Sequence, residues 1–359
     1  MGFGLLTAGE SSGDRIAAAL YRELRAQDKL REWRGMAGPD LRRCAGFHPI
    51  GKVEDLSGAG VVELIPRLPK LLRGRRALQR ELDAGPDIAI FVDAPDLHLP
   101  LARRARRNNV PVVQLVVPQF WAWRPKRKAQ LAQDVQLSLC LFPFEVAPLR
   151  ALGAAAHWVG HPLIDSITQT ATEPEASETL RIALLPGSRP NEVKGNLERL
   201  RSRIDSALGR TPRTVIVPWR LSRPPPAMEG VEFTSASGQD VLTSADLAVV
   251  AFGTACLEAA LLGVPQLSFG SAHPITRRLV ENLIQTEWFA LPNIVLKRQA
   301  VDEFILPEGA SHFEGQLRKM TESLSSHRRR SVALAEELRA VLGPPGFATR
   351  AAHCLEPLL

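Results

Sequence analysis

The residues best placed for chemistry lie where short apolar runs end. Leu247 to Val250 is one such run; it breaks at Phe252-Gly253-Thr254 and resumes as Ala255-Cys256-Leu257-Glu258-Ala259-Ala260-Leu261-Leu262. The pattern predicts a buried strand, a tight turn and a helix. A glycine in that turn admits a ligand to the backbone, and the unpaired N–H groups of a helix's first turn attract an anion such as phosphate. Glu258 falls about one helical turn beyond Thr254, where a carboxylate can accept hydrogen bonds from the two hydroxyls of a ribose. Phosphate and ribose together mean a nucleotide, although on this stretch alone a glycine that only permits close helix packing serves equally well. Pro186-Gly187-Ser188-Arg189 repeats the arrangement after Ile182 to Leu185, and Arg189 offers a forked cation to a diphosphate. In the first half, Asp93 ends the run Ile88 to Val92 just before Ala94-Pro95-Asp96. A carboxylate there faces the crevice of an open α/β sheet, which makes Asp93 the candidate general base. Asp96 is assigned to capping the next helix. Gly9-Glu10-Ser11-Ser12-Gly13-Asp14 follows the run Phe3 to Thr7, either as a ligand turn or as a helix start capped by Ser12. It matches neither Gly-x-Gly-x-x-Gly nor a lysine-bearing phosphate loop, so NAD and ATP are poorly supported.

Positive charge is gathered in one half of the chain. Residues 1–168 hold 24 Lys and Arg against 17 Asp and Glu, while residues 169–359 hold 21 of each, so the net charge of +7 lies wholly in the first half. The clusters are Arg67, Lys70, Arg73, Arg75 and Arg76; Arg103, Arg104, Arg106 and Arg107; and Arg124, Lys126, Arg127 and Lys128. Such patches suit a membrane surface, a nucleic acid or a phosphorylated substrate. Arg103 to Arg107 reads instead as a solvated helix face. Pro66 to Asp83 is predicted to be an amphipathic helix with Leu68, Leu71, Leu72 and Leu78 opposite its cations. Trp121 and Trp123 beside Arg124 read either as indoles at headgroup depth or as core aromatics with solvated neighbours.

Strands and helices must alternate to position these turns. Strands are predicted at Phe3–Thr7, Ile88–Val92, Val112–Val117, Leu137–Leu141 and His157–Val159, then at Ile182–Leu185, Thr214–Val217, Val231–Thr234, Leu247–Val250 and Gln266–Phe269. A helix is predicted at Ser12–Gln27 with Ile16, Leu20 and Leu24 on its apolar face. The fold class is therefore α/β, with two doubly wound Rossmann-like domains facing each other across a cleft between strand ends. The expected boundaries are 1–168, a linker at 169–179, a second domain at 180–335, and a helical segment at 336–359 that packs back on the first domain. The 359 residues, 45% of them hydrophobic, suffice for two cores. No apolar run approaches the ~18 residues of a membrane span, and Phe3 to Leu6 leads straight into glycine and acid, so no signal peptide is expected. Cys44, Cys140, Cys256 and Cys354 have no paired spacing, which suggests neither disulfides nor zinc and points to a reducing, cytoplasmic setting.

Ten segments, in order, resemble bacterial lipid-A-disaccharide synthases: Ala8–Asp14, Met36–Pro39, Val61–Leu72, Val92–Asp96, Trp121–Arg124, Leu141–Glu145, Val159–Pro162, Leu184–Arg189, Gly253–Glu258 and Leu291–Asn293. The resemblance spans nearly the whole chain and implies the two-domain GT-B glycosyltransferase fold. It implies transfer of 2,3-diacylglucosamine from its UDP derivative to 2,3-diacylglucosamine 1-phosphate, giving the β-1′,6-linked disaccharide 1-phosphate and UDP. By this resemblance Asp93 deprotonates the acceptor's 6-hydroxyl for an inverting displacement and Glu10 orients sugar or acceptor. Ser188, Arg189, Glu192, Gly253, Thr254, Glu258 and Asn293 hold UDP. Arg67, Lys70, Arg73, Arg75, Arg76, Trp121, Trp123 and Arg124 meet the acceptor or an anionic inner-leaflet surface, placing the chain peripherally on the cytoplasmic face of the inner membrane. UDP-sugar is a substrate, no cofactor is expected, nucleic acid is not an expected partner, and a homodimer stays open. The chain has no Asp-x-Asp, so no metal is expected and UDP departure falls to Arg189 and helix N-termini. Departures from the family pattern are Val117 where Ser is common, Ala59-Gly60 for Met-Gly, and the absence of Tyr-Arg in Ser268 to Pro274. A UDP-N-acetylglucosamine 2-epimerase, which shares the fold, and a non-catalytic anionic-surface or RNA-binding protein are the rival readings.

Overall fold

The structure, a computed structural model, describes residues 2–27, 32–55, 61–122, 124–171, 178–187, 190–219, 224–271, 286–306 and 308–359, with only the backbone at residues 11, 61–68, 190–192 and 271. The chain divides into two compact units, Met1–Asp165 with Pro344–Leu359, and Ser166–Gly343.

The first unit is a parallel sheet wrapped by helices: β1 (Phe3–Ala8), α1 (Ser11–Gln27), β2 (Glu32–Ala37), α2 (Pro39–Arg42), β3 (Phe47–Lys52), α3 (Val61–Asp83), β4 (Ile88–Val92), α4 (Pro95–Arg107), β5 (Val112–Leu115), α5 (Arg127–Asp134), β6 (Leu137–Cys140), α6 (Val146–Arg150), β7 (Ala156–Trp158) and α7 (Pro162–Ser166). The strand order is β3-β2-β1-β4-β5-β6-β7. Every residue of β1, β4, β5 and β6 is buried, as expected where helices cover both faces of a parallel sheet. The order reverses between β1 and β4, which pair from Gly4↔Ile88 to Ala8↔Val92. That reversal opens the crevice in which doubly wound sheets hold ligands. On α1 the buried stripe is Ala17, Leu20, Tyr21 and Leu24, with Ile16 only half-buried.

The second unit repeats the plan with β8 (Leu180–Leu185), α8 (Pro190–Leu208), β9 (Arg213–Pro218), β10 (Val231–Thr234), α9 (Gly238–Thr243), β11 (Leu247–Ala251), α10 (Thr254–Leu261), β12 (Gln266–Ser271), α11 (Leu291–Leu296), β13 (Asp302–Leu306), α12 (Ala310–Glu322) and α13 (Leu324–Leu342). Its order, β10-β9-β8-β11-β12-β13, reverses between β8 and β11. Arg328 of α13 is buried and donates to the carbonyls of Ala245 (2.9 Å) and Gly263 (3.4 Å), fixing that helix beside α10. The chain then returns to the first unit, where α14 (Phe347–Leu355) packs on α1 through Phe347, Ala351, Ala352 and Leu355. The Asp165 carboxylate accepts the N–H groups of Gly346 and Phe347, and Arg350 donates to Val159 O at 2.9 Å.

Several sequence expectations need correction. The division falls after Asp165 and the return at Pro344, in place of 168 and 336. Within the expected linker, Ala171 N–H already bonds Leu262 O at 2.8 Å, so the chain has joined the second unit there, while 172–177 lie outside the described residues. Helix α3 begins at Val61, before Pro66, and β5 stops at Leu115 because Val116 turns to φ 63°. Strands β2, β3 and β13 carry charged residues, glycine or proline and were not expected.

Candidate active site

At the switch point of the first sheet, two turns meet at very short range. Gly9 follows β1 and Ala94 follows β4, and a Cβ on Gly9 would lie 2.0 Å from that of Ala94, so only glycine fits. Gly13 brings α1 against Val92 O and Asp93 Cβ, at 3.4 and 3.5 Å from where its own Cβ would be. Glu10 is exposed beside Asp93, which is half-buried. Asp93 and Ala94 both take left-handed backbone, φ 57° and 45°, and Val116 at the end of the neighbouring β5 takes 63°. Left-handed conformations at such residues cost about 1–3 kcal/mol each and persist only where the surroundings over-determine them. Desolvation, and next the nearby Glu10 charge, push the Asp93 carboxyl up to about 6, while a hydrogen bond from the Ala94 backbone opposes the shift. A carboxyl poised there is ionised at neutral pH yet still a competent base.

Helix α1 begins at Ser11, so Ser12 lies inside it and is not its cap, and Asp14 is structural. Asp14 is buried and accepts the N–H groups of Gly38 (2.7 Å) and Asp40 (2.8 Å), tying the end of β1 to the end of β2. Asp96 is not a helix cap: α4 has no side-chain cap, and Asp96 pairs with Arg124 (2.6 Å) and Arg127 instead. Arg124, expected at the acceptor or membrane, is thus already in an ion pair. Trp121 is also committed inward. Its indole N–H donates to Glu145 at 3.0 Å, its ring meets Phe144 edge-on at 5.4 Å, and it is half-buried, which favours the core reading of this tryptophan over the interfacial one. Glu145 accepts Phe142 N–H at 3.1 Å as well, and burial pushes its carboxyl up to about 7. Trp123 lies outside the described residues, as do Ser188 and Arg189.

The second unit presents its own turns at the β8/β11 reversal. Gly187 (φ 120°) follows β8 and Gly253 (φ 134°, ψ −155°) follows β11, both in backbone regions suited to glycine. Buried Asn196 of α8 donates to Pro186 O at 2.8 Å and fixes the first of these turns. Thr254 is exposed at the start of α10, and Glu258 is half-buried one turn further on. Gly238, at the start of α9, is placed so that its Cβ would lie 4.0 Å from Glu258 Oε2. This third neighbour was missed because nothing in Ser237-Gly238 departs from an ordinary capped helix start. Of Glu192 only the backbone is described.

Asn293 is placed otherwise than expected. Its side chain is fully buried and spent within the protein: Nδ2 donates to Val301 O (2.9 Å) and Glu303 (3.0 Å), and Oδ1 accepts from Ala300 and Val301 N–H (both 2.8 Å). All four hydrogen-bonding positions of the amide are occupied, so Asn293 shapes the turn into β13 and has nothing left for UDP.

Two Rossmann-like units, each with glycine turns at the reversal of its own sheet, define the GT-B class of glycosyltransferase folds. The calicheamicin glycosyltransferase CalG4 aligns with 99% of this chain and 98% of its own at a TM-score of 0.56 and 15% identity. The S. aureus MnaA–UDP structure aligns over 100% and 97% at 0.63 and 12%. Likeness at such identities concerns the fold alone and does not choose among activities. Sequence does: the family model for lipid-A-disaccharide synthetase matches residues 5–344. The lipid-A-disaccharide synthase of Solibacter usitatus (strain Ellin6076) is 30% identical over 99% of this chain and 97% of that protein. That of Neisseria meningitidis serogroup B (strain MC58) is 32% identical over 94% and 92%. The chain belongs to the lipid-A-disaccharide synthetase family. It is an enzyme, a glycosyltransferase that uses a UDP-sugar, and the epimerase and non-catalytic readings fall away.

Proposed function

We propose that the chain joins two acylated glucosamines, taking 2,3-diacylglucosamine from its UDP derivative and placing it on the 6-hydroxyl of 2,3-diacylglucosamine 1-phosphate. The observation that carries this reading is the pairing of Glu10 and Asp93 at the β1/β4 reversal, with a carboxyl held near 6 on backbone that few residues adopt. Asp93 takes the proton of the acceptor hydroxyl as its oxygen attacks the anomeric carbon from the face opposite UDP. The carbon–oxygen bond to the diphosphate breaks, and the product is β-linked. Glu10 orients the sugars. Arg189, Ser188, Glu192 and the turns at Gly187 and Gly253-Thr254 receive the diphosphate, Glu258 the ribose hydroxyls, and no metal or cofactor takes part. The acidic acceptor and its acyl chains approach over the basic face of α3, with the protein peripheral to an anionic membrane.

The test is Asp93→Asn, which keeps the shape but cannot accept the proton. The variant should fold, bind UDP as the parent does, and lose transfer by at least about 10²-fold, within the roughly 10²–10⁴-fold range of general-base catalysis. UDP affinity by calorimetry and UDP release with the two lipid substrates are measured on one preparation. A near-parental rate removes Asp93 from the mechanism and leaves Glu10 as the next residue to test.

A further inference from the structure

Two buried polar side chains that the transfer reaction does not use converge on the backbone of Asp93. His98, one turn into α4, is fully buried; its ring stacks on Phe91 of β4 (centroids 4.9 Å apart, planes at 15°), and Nδ1 lies 2.6 Å from Asp93 O. Because its partner is a carbonyl oxygen, Nδ1 must carry the hydrogen. The same ring also faces the other turn, with Cε1 3.4 Å from where a Cβ on Gly9 would be. Gln114 of β5, also fully buried, sends Nε2 toward three carbonyls: Asp93 O (3.3 Å), Leu115 O (3.3 Å) and Val116 O (3.1 Å). These carbonyls belong to the two strand ends where the chain turns left-handed, at Asp93-Ala94 and at Val116. Among the described residues, His98 Nε2 and Gln114 Oε1 have no hydrogen-bond partner, although both are buried. Polar groups buried in this half-satisfied state are costly in a core built only for stability and call for an explanation, of which a strained or catalytic site is one.

We propose that His98 and Gln114 are positioning residues for Asp93: together they clamp its peptide carbonyl and hold the strained turn that aims its carboxylate into the crevice beside Glu10. The proposal rests on Asp93 being the base. The clamp acts through neutral groups. Burial pushes the His98 imidazole down to about 4, so the ring adds no positive charge beside Asp93 at working pH. Among the described residues the titratable groups around the carboxyl are then Glu10 from the β1 turn and the uncharged His98 from α4, and Gln114 from β5 does not titrate. A cation in place of His98 would pull the Asp93 carboxyl down and weaken it as a base. A neutral donor fixes the geometry and leaves the basicity intact.

The experiment compares His98→Phe, which keeps the ring against Phe91 but loses the donor, with His98→Asn, which restores an amide donor. Asp93→Asn runs alongside. His98→Phe should stay folded and bind UDP like the parent while kcat falls about 10- to 100-fold, the cost of a roughly 1 Å misplacement of a reacting group. The acid limb of its kcat/KM profile, set in the parent by Asp93, should move toward lower pH as the carboxylate relaxes into water, and His98→Asn should recover part of both changes. A purely structural histidine would alter thermal stability and leave the limb in place. If His98→Phe does not fold, Gln114→Met, which removes the amide donor that reaches these carbonyls at similar volume, is read by the same measurements. A folded variant with kcat within about twofold of parental and an unmoved limb overturns the proposal. A near-parental Asp93→Asn overturns instead the reading of Asp93 on which it rests.

Discussion

To act as the proposed base at neutral pH Asp93 must be charged, yet its surroundings favour the proton, and that conflict has a measurable consequence for stability. The folded carboxyl titrates near 6 against an ordinary value of 3.8. Between these values the folded state holds the proton more tightly than the unfolded state, so the Asp93 contribution to stability is complete below about pH 4 and lost as pH rises through about 6. Asp93→Asn, which never ionises, should match the parent at low pH and exceed it above about pH 6, by at most about 2–3 kcal/mol. Denaturant unfolding of both proteins over that range checks this, and an Asn variant less stable at pH 8 would show that the carboxylate is held by partners that favour its charge. At this scale the sequence was legible in where residues fall at their own strand ends, as for Asp93, Gly9 and Gly253. It misled where the role depends on a distant partner. Asp96 stands where a cap belongs, but Arg124 and Arg127 claim it. Asn293 sits in a family motif, but its amide is consumed by the backbone at Ala300 and Val301 and by Glu303.

Between elements, the recurrent motifs hold one another. Asp14 joins the β1 turn to the β2 turn, Asp96 joins α4 to the segment before α5, and Trp121 joins that same segment to the turn after β6 through Glu145. Burial holds Glu145 near 7 although the N–H groups of Trp121, Phe142 and Leu141 favour its charge, so here too the folded value lies above the ordinary one. Its contribution is present below about pH 4.5 and lost as pH rises through about 7. Glu145→Gln should therefore lose less stability than the parent between about pH 5 and 8. A difference between the two that stays constant across this range would mean that the carboxyl ionises as it does in water. The strands absent from the sequence reading have a physical explanation. β3 and β13 are edge strands, paired on one side only, so they tolerate Pro49 and the Asp302-Glu303 pair. β2 contains Gly35, where a Cβ would meet Leu6 O at 1.7 Å, and Arg34, which reaches out to Glu32 and Glu81, so its six residues form no apolar run.

For the whole molecule, the charge asymmetry survives the structural division unchanged. The returning segment 344–359 brings to the first unit one arginine, Arg350, and one glutamate, Glu356, so the excess of +7 stays there and the second unit is neutral. Not every cation in that excess is available to a partner. Arg103 and Arg106 pair with buried Asp134, and Arg104 forms a two-pronged pair with Asp83, in keeping with a solvated helix face. On α3 the situation differs. Lys70 makes only a 3.6 Å contact with Asp55, while Arg73, Arg75 and Arg76 are exposed around Leu72, itself 40% exposed. Among the described residues no helix is long and apolar enough to cross a membrane, and the proposed peripheral adhesion can be tested on this surface. Each lysine or arginine at an anionic bilayer contributes about 1 kcal/mol, and the attraction fades beyond a Debye length, about 10 Å at 0.1 M salt. Replacing Arg73, Arg75 and Arg76 together with glutamine should thus cut co-sedimentation with phosphatidylglycerol vesicles roughly 10- to 100-fold at low salt, and less at high salt where the parent is already screened. Sedimentation with uncharged phosphatidylcholine vesicles should not change, since exposed Leu72 is still present. With detergent-dispersed substrates the same variant should keep kcat near parental but raise KM for the acidic acceptor, which is proposed to approach over this face. If the triple variant sediments as the parent does at low salt, the patch is only a solvated face and the acyl chains must be met elsewhere on the first unit.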